Sequence, residues 1–295
     1  GGRHNTVSIY TLAIQPDPPV LEYRKMLWSQ LYQIYQRGDE QAEIEQILYK
    51  YGMPHYGVDT GLDVVRAEFE EVLKFFPLFQ PENLFHCVIA ARIKQVAKHI
   101  EYCALDILDP FLNSEKYRIY SALASYLAED YSEGYEKGVQ RHKERVCRLV
   151  EGYTPQHIDY LIQVCLESSQ TFDKEERELG AGLGYVFEAL QDQQQLYLYL
   201  ADAYMRADTP YQIYAGQILE RLFEIRPALE VKKFITQYRY NQQNVWLWFF
   251  FSLMPEQQIS AHWTVELLQY LDTPDIEMKT CLLYTSPSPR DLSTS

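Results

Sequence analysis

Apolar residues recur along most of the chain at steps of three and four, the spacing that places side chains on one face of an α-helix. The segment from Leu62 shows this best, with apolar positions at Leu62, Val65, Phe69, Val72, Leu73 and Phe76. Helices of this kind bury their apolar face against a neighbour. Together with turn-forming residues, the pattern predicts helices, with ends defined to about 2–4 residues, at 22–36, 39–51, 61–76, 81–101, 113–129, 135–151, 154–169, 173–190, 193–206, 209–225, 227–239, 243–253 and 255–271.

Two Thr-Pro sequences mark helix starts. Thr209-Pro210-Tyr211-Gln212 places a Thr at the N-cap, a Pro at the first helical position and a Gln three residues after the Thr, which is the capping-box pattern. Thr154-Pro155 predicts a second start without the Gln. Strand signals are confined to a short apolar stretch at 7–14 that ends in a Pro-rich sequence, so residues 1–20 are predicted to form an extended segment or linker.

The predicted helices are similar in length and joined by short links, which favours antiparallel neighbours. A long series of such pairs without strands favours an α-solenoid over a closed bundle. No fixed-period repeat is present, so the expected fold class is all-α, an irregular α-solenoid of antiparallel helix pairs over residues 21–272. The predicted helix at 193–206 is apolar on two sides, as an interior helix between layers would be.

Both ends of the chain differ from its helical part. The chain begins Gly1-Gly2-Arg3 without an initiator Met, so we expect it to start inside a longer reading frame with a domain upstream. Residues 281–295 resemble the translation of sequencing-adapter read-through; a Ser/Pro-rich disordered terminus is the alternative. Residues 273–295 are therefore predicted to be a non-native or disordered tail.

The chain has a net charge of −14 over 295 residues. This charge opposes the phosphate backbone of nucleic acids and an anionic membrane surface, so neither general nucleic-acid binding nor membrane binding is expected. The longest apolar run, 245–251, is far shorter than the roughly 20 residues of a membrane-spanning helix. Cys87, Cys103, Cys147 and Cys165 lie in apolar helical segments without C-x-x-C spacing, which predicts buried thiols in a reducing, cytoplasmic location.

Signatures of cofactor and metal sites are weak. No G-x-x-x-x-G-K-[ST] sequence occurs, and the glycine cluster at 180–184 follows a charged helical segment instead of a strand, so it predicts close helix packing or a kink and no nucleotide site. His86 and Cys87 are adjacent and project about 100° apart on a helix, which prevents a nucleophilic couple. The other histidines lack metal-ligand spacing and are expected at the surface or at helix caps. No cofactor and no metal are expected.

One short sequence has the residues of a metal-dependent nuclease. Pro274-Asp275-Ile276-Glu277-Met278-Lys279 contains an acidic residue followed by Glu-x-Lys, which can hold a divalent metal and orient water. That chemistry requires a β-hairpin, whereas this stretch follows a predicted helix and adjoins the tail. A structural role is the favoured interpretation.

A basic stripe is the best-defined candidate binding site. Lys137, Arg141, Arg145 and Arg148 are spaced by four, four and three residues, which places four cations on one helical face. Such a face could bind a phosphate or steer an acidic partner. The alternative is a solvated face, or a face balanced by acids on a neighbouring helix such as Glu175, Glu176 and Glu178.

Several stretches resemble a known family: Tyr-Thr-Leu-Ala-Ile-Gln-Pro at 10–16, Leu-Glu-Tyr-Arg-Lys-Met-Leu-Trp at 21–28, and the sequences at 81–87, 111–117 and 252–260. Together they resemble the C-terminal helical region of large bacterial STAND-type P-loop ATPases, a class that includes antiphage sensors. The resemblance covers most of residues 7–271 and contains no catalytic signature. It implies a ligand-sensing array that follows an ATPase core absent from this chain.

The leading hypothesis is a protein- or peptide-binding helical scaffold without its own catalytic site, the sensor part of a multidomain ATPase. A free-standing helical scaffold or adaptor is the second hypothesis. A nuclease or other enzyme with an unrecognised site is the third. Oligomerisation would be possible through the missing domains.

Overall fold

The computed structural model describes residues 17–52, 62–99, 102, 105–124, 134–172, 179–211 and 216–238. In these ranges the chain forms helices and turns and no strand, which confirms the predicted all-α class. Two compact units divide the chain, Gly1–Arg118 and Ile119–Ser295, so the predicted array over 21–272 is split between them. The predicted helices beyond 239 and the sequence 274–279 lie outside the described residues.

In the described part of the first unit before α6, the chain forms five α-helices and two short 3₁₀ turns, Phe76–Leu78 and Asp106–Leu108. Helix α1 contacts α2 and α3, α2 contacts α4, and α4 contacts α5. These helices are α1 (Pro18–Gln36), α2 (Gln41–Tyr51), α3 (Leu62–Leu73), α4 (Leu84–His99) and α5 (Asp109–Leu112).

Helix α1 starts earlier than predicted. Pro18 and Pro19 were expected to end an extended segment, but they occupy the first positions of α1. Proline is tolerated there because its missing N–H is one of the amides that the first helical turn leaves without a partner. The extended segment predicted for 1–20 is therefore wrong at its C-terminal end, while residues 1–16 lie outside the described part.

Aromatic rings form much of the core of the first unit. The Phe75 ring receives edge-to-face contacts from Trp28, Tyr32 and Tyr35, with ring centroids 5.3–6.5 Å apart. Such aromatic pairs add to the free energy gained by burial alone. These contacts pack side chains of α1 against the residues that follow α3.

A buried carboxylate joins α1 to α3. Glu68 is 6% exposed. It accepts hydrogen bonds from Arg24, with Nε 2.9 Å from Oε1, and from Trp28 Nε1 at 2.8 Å. Burying a carboxylate is costly unless it is paired and hydrogen-bonded, and Glu68 is both. This accounts for the burial of a carboxylate on α3.

A second polar network joins α1, α2 and α4. Tyr35 donates a hydrogen bond to Glu45 Oε1 at 2.8 Å, and the same oxygen lies 2.9 Å from His86 Nε2. The backbone N–H of Gln80 donates to His86 Nδ1 at 3.0 Å, and the imidazole stacks on Phe79. The backbone of Gln80 holds Nδ1 and the Glu45 carboxylate lies against Nε2, so these contacts give His86 a structural role.

Acid is expected to weaken this network. Burial by itself raises the pKa of Glu45, but the interactions with His86 and Tyr35 outweigh it and hold the pKa below the ordinary value of 4.5. A lowered folded-state pKa gives stability that is present above the ordinary pKa and is lost as the pH falls through the lowered one. Glu45→Gln should therefore cost about 1–2 kcal/mol at pH 7. Urea denaturation should show this cost shrinking towards pH 3, and a cost that does not vary with pH would contradict the assignment.

Among the described residues, the second unit contains α6 (Glu115–Leu123), which crosses the division, and six further helices that follow in sequence as the pairs α7–α8, α9–α10 and α11–α12. The first helix of each pair contacts the first helix of the next, because α7 packs on α9 and α9 on α11. The second helices do likewise, since α8 packs on α10 and Tyr238 of α12 hydrogen-bonds Asp202 of α10. The helices are α7 (Tyr135–Val150), α8 (Pro155–Thr171), α9 (Gly180–Leu190), α10 (Gln194–Ala207), α11 (Gly216–Ile225) and α12 (Ala228–Tyr238).

This contact pattern is the one that stacking of helix pairs produces. Helix α10 contacts α8, α9 and α11 and buries Tyr197 and Leu200, which agrees with the prediction of a helix apolar on two sides. Among the described helices of this unit, α7, α9 and α11 make successive contacts, which we call the α7–α9–α11 layer, and α8 contacts α10. The solenoid arrangement of the whole array stays a prediction.

Of the two helix starts predicted at Thr-Pro sequences, the one at Thr209 is wrong. Thr209 and Pro210 lie in a turn and α11 begins at Gly216, because Thr209 Oγ1 accepts the N–H of Tyr211 within a local turn. Such local bonds compete with helix formation. Leu179 is not helical and α9 begins at Gly180, while the predicted start at 173 lies outside the described residues. The start at Thr154-Pro155 is confirmed, with His157 Nδ1 accepting the N–H of Thr154 in the place predicted to lack a capping side chain.

Helix ends are capped by cations from other helices. Arg92 of α4 donates to the Tyr49 carbonyl in the last turn of α2 and stacks over the Tyr49 ring, 3.9 Å from its centroid. Arg221 of α11 donates through Nε and Nη2 to the Gln191 carbonyl that follows α9. A cation stabilises a helix C-terminus because the last carbonyls have no partner within the helix and carry partial negative charge. In the described ranges, no helix is both long and apolar enough to cross a membrane.

Candidate functional site

The basic stripe of Lys137, Arg141, Arg145 and Arg148 lies on α7. The adjoining face of this helix buries Gly138, His142, Val146 and Val150. Helix α7 has five Lys and Arg residues and two Glu residues, in a chain whose net charge is −14. The stripe is therefore a local cationic surface on an acidic protein, as the spacing predicts.

The structure gives Arg145 a structural role within that stripe. Its Nε and Nη2 atoms donate to the carbonyls of Ala122 and Ala124 at 3.4 and 3.3 Å. His142 Nε2 lies 3.1 and 3.2 Å from the carbonyls of Ala122 and Leu123, so it carries the proton and donates. Arg145 and His142 together cap the C-terminal end of α6. Charge reversal of Arg145 would disturb this end and cannot serve as a test of partner steering.

Arg148 is situated differently. It is exposed, and its Nε donates to the backbone carbonyl of Glu144 at 3.3 Å. Among the residues that the structure describes, its guanidinium has no carboxylate partner. Lys137 is exposed and Arg141 is half-buried. Arg145 is thus committed to the end of α6, whereas Lys137 and Arg148 are exposed.

A groove of about 700 Å³ lies on the surface where α7 packs against α9. Lys143 bridges it by an ion pair with Glu188, with Nζ 3.0 Å from Oε2, and lies 5.2 Å from the centroid of the Tyr185 ring. We call this cavity the α7–α9 groove. It is lined from α7 by Gln140, Lys143, Glu144, Cys147 and Arg148, and from α9 and its end by Tyr185, Glu188, Ala189 and Gln191.

A second, smaller cavity of about 140 Å³ continues along the same helix layer between α9 and α11. It shares Glu188 and Gln191 with the α7–α9 groove, so the two cavities adjoin on the surface of α9. We call it the α9–α11 pocket. Its other lining residues are Phe187, Tyr197, Glu220, Arg221 and Glu224.

Charge changes sign along this layer. On α11, Arg221 Nη1 pairs with Glu224 at 2.6 Å, whereas exposed Glu220 has no cationic partner within the described ranges. On α7, Arg148 has no anionic partner there. The central ions, Lys143 with Glu188 and Arg221 with Glu224, compensate one another. Among the described lining residues, Arg148 and exposed Glu144 on α7 and Glu220 on α11 are outside any ion pair. Helix α7 as a whole has five basic and two acidic residues, so the cationic side of this layer is α7 and the anionic side is α11.

The thiols are only partly where the sequence predicts them. Cys87 and Cys165 are buried, and burial raises the pKa of the Cys165 thiol to about 12, which makes it inert at neutral pH. Cys147 is exposed and lines the α7–α9 groove, so its predicted burial is wrong. Its neighbours Val146 and Val150 face the core, but position 147 is turned by about 100° from position 146. Cys103 lies outside the described residues.

Three further features singled out in the sequence are the adjacent His86 and Cys87, the glycine cluster at 180–184 and the acids expected near the stripe. Cys87 Sγ lies 3.1 Å from the Pro81 carbonyl and 3.4 Å from Ser114 Oγ, while the adjacent His86 meets Glu45, so these neighbours form no nucleophilic couple. Gly182 packs against α6, in agreement with the prediction of close helix packing at 180–184. The acids proposed to balance the stripe, Glu175, Glu176 and Glu178, lie outside the described residues.

Comparison with known proteins finds no family model, no curated protein and no solved structure that matches this chain. The resemblance to the helical region of STAND-type ATPases therefore stays a prediction from the sequence.

Proposed function

We propose that this chain is a protein-binding helical scaffold whose α7–α9–α11 layer forms the recognition surface. The observation that carries the proposal is the continuity of the α7–α9 groove and the α9–α11 pocket across three successive helices. A surface that crosses several stacked helices suits an extended polypeptide better than a compact metabolite.

The basic stripe supports an acidic contact region on the partner. Long-range attraction between a cationic surface and an acidic partner raises the association rate and depends on ionic strength. Lys137, Arg141 and Arg148 are the members of the stripe that can act in this way, because Arg145 is committed to the end of α6.

The resemblance to STAND-type ATPases extends this proposal to a cytoplasmic sensor, with possible antiphage function in the parent protein as its further implication. A partner that binds across several helices would favour one arrangement of the array and bias an attached ATPase. A P-loop sequence in the reading frame upstream of Gly1 would support this extension. A free-standing scaffold is the alternative, which an initiator Met immediately before Gly1 would support.

The binding proposal is tested by selecting peptides from a display library on the immobilised chain and measuring their association rates. Arg141→Glu with Arg148→Glu is expected to slow association of acidic peptides about tenfold or more at low salt and to flatten its salt dependence. Lys25→Glu, at an exposed position on α1, is the control for general charge change.

Two results would contradict the proposal. If the library yields no peptide that binds the folded chain, the protein-binding assignment fails. If selected peptides bind the double variant and the wild type with equal rates at low salt, the stripe is a solvated face without a steering role.

A further inference from the structure

The charge pattern of the α7–α9–α11 layer selects a particular kind of peptide. We propose that this surface binds an extended peptide segment that carries acidic residues at one end and basic residues at the other. The acidic end lies against Arg148 and the basic end against Glu220. This inference rests on the proposed protein-binding function and names its ligand class and orientation.

The two charged residues that would hold the ligand, Arg148 and Glu220, lie in adjoining cavities. Arg148 lines the α7–α9 groove and Glu220 lines the α9–α11 pocket, and the two cavities meet at Glu188 and Gln191. Helix α9 contacts both α7 and α11 and so lies between them. A ligand that reaches both charges must therefore cross α9.

Some charged residues of this surface already form ion pairs within the protein, whereas Arg148 and Glu220 do not in the described part of the chain. An ion pair inside the protein already satisfies Lys143, and another satisfies Arg221. Arg148 and Glu220 have no oppositely charged side chain in the described part of the chain, and both are exposed. A guanidinium binds a carboxylate through two parallel hydrogen bonds, which makes Arg148 the stronger anchor.

The distance across the three helices sets the length of the ligand. Packed helices lie about 8–10 Å apart, so the crossing from α7 to α11 spans about 16–20 Å. An extended chain advances about 3.3 Å per residue, so about five or six residues cover this distance. The acidic and basic residues of the ligand should consequently be separated by about four to six positions.

The test uses a synthetic peptide array in which an acidic pair and a basic pair are separated by two to ten varied residues. Binding of the labelled full chain should peak at separations of about four to six. Arrayed peptides with the same composition and alternating charges are the matched control and should bind at least tenfold more weakly.

Charge-reversal variants test which end of the peptide lies against Arg148 and which against Glu220. Arg148→Glu should weaken binding of the best peptide about tenfold, and replacing that peptide's acidic pair by Ser should then cause little further loss. Glu220→Lys should show the same relation with the basic pair. Lys25→Glu and Glu43→Lys make equal charge changes at exposed positions of the first unit and should leave binding unchanged.

Cys147 gives a readout at the site itself. It lines the groove and is exposed, whereas Cys87 and Cys165 are buried and serve as internal references. Alkylation of Cys147 by iodoacetamide, mapped by mass spectrometry, should be fast in the free chain and at least severalfold slower with the bound peptide.

Several outcomes would overturn the inference. Binding that does not depend on the separation of the charged pairs or on their pattern would contradict it. Peptides that bind without slowing the alkylation of Cys147 would also contradict it, because they would place the binding site elsewhere while leaving the scaffold function intact. Slow alkylation of Cys147 in the free chain would mean that the chain covers its own groove. Absence of any array binding below about 1 mM would reject the ligand class, whereas failure of an unbiased display library would reject the scaffold function.

Discussion

Phe69→Ala is expected to lower the free energy of unfolding by about 3–5 kcal/mol, the usual cost of removing a buried phenylalanine ring. Phe69 is 1% exposed, and its ring centroid lies 4.8 Å from that of Tyr102. The substitution removes both the buried apolar area and the ring contact, and the helix backbone prevents the site from collapsing fully. Urea denaturation followed by circular dichroism measures the change.

The neighbouring residue supplies the control for this prediction. Glu70 is exposed on the same helix, so Glu70→Ala should change the free energy of unfolding by less than about 0.5 kcal/mol. A loss below about 1 kcal/mol for Phe69→Ala would show that α3 does not pack as described.

Gly182→Ala is expected to destabilise the second unit by about 2–3 kcal/mol, even though alanine favours helices more than glycine does. A Cβ atom at Gly182 would lie 2.2 Å from the Leu123 carbonyl oxygen and 2.6 Å from the Leu123 Cα. Both are backbone atoms, so α9 must move away from α6. Movement would also disturb the carbonyls that Arg145 and His142 cap. Hydrogen exchange should show faster opening at the end of α6.

Gly184→Ala is the control, because this glycine is half-buried on the same helix two residues further on. It should be neutral or should stabilise α9 slightly through helix propensity. Equal losses for Gly182→Ala and Gly184→Ala would mean that α9 tolerates no alanine, and that the contact with Leu123 is not the cause.

The all-α class and the buried faces could be predicted because they depend on local spacing. The steps of three and four from Leu62 to Phe76 place Phe69 and Val72 in the core, where the structure buries them. Thr154-Pro155 likewise starts a helix through interactions within one turn. These features depend on residues that are close together in the sequence, so they can be predicted without knowledge of the tertiary fold.

Features that depend on distant partners could not be predicted in this way. The spacing of the basic stripe does not distinguish Arg145, whose role comes from carbonyls more than twenty residues earlier, from Arg148, which faces the groove. The exposure of Cys147 depends on where α9 packs. At Thr209 the capping pattern is complete, but no helix starts there. Thr209 Oγ1 instead accepts the N–H of Tyr211 in a local turn, and the Tyr204 hydroxyl donates to the Tyr211 carbonyl.

The recognition surface follows from this non-local information. Sequence reasoning found the cations of α7, but the groove beside them and the charge of opposite sign on α11 emerge only when α9 is placed between the two helices. Glu220 carries no sequence signal of its own, since exposed glutamates are common on helices.

Hydrogen–deuterium exchange of the full chain, with and without a peptide selected on it, tests the central claim most directly. The account predicts that bound peptide slows exchange in α7, α9 and α11 together and leaves α1 to α4 unchanged, because one ligand crosses three stacked helices. Protection confined to a single helix, or located in the first unit, would contradict a recognition surface on the α7–α9–α11 layer.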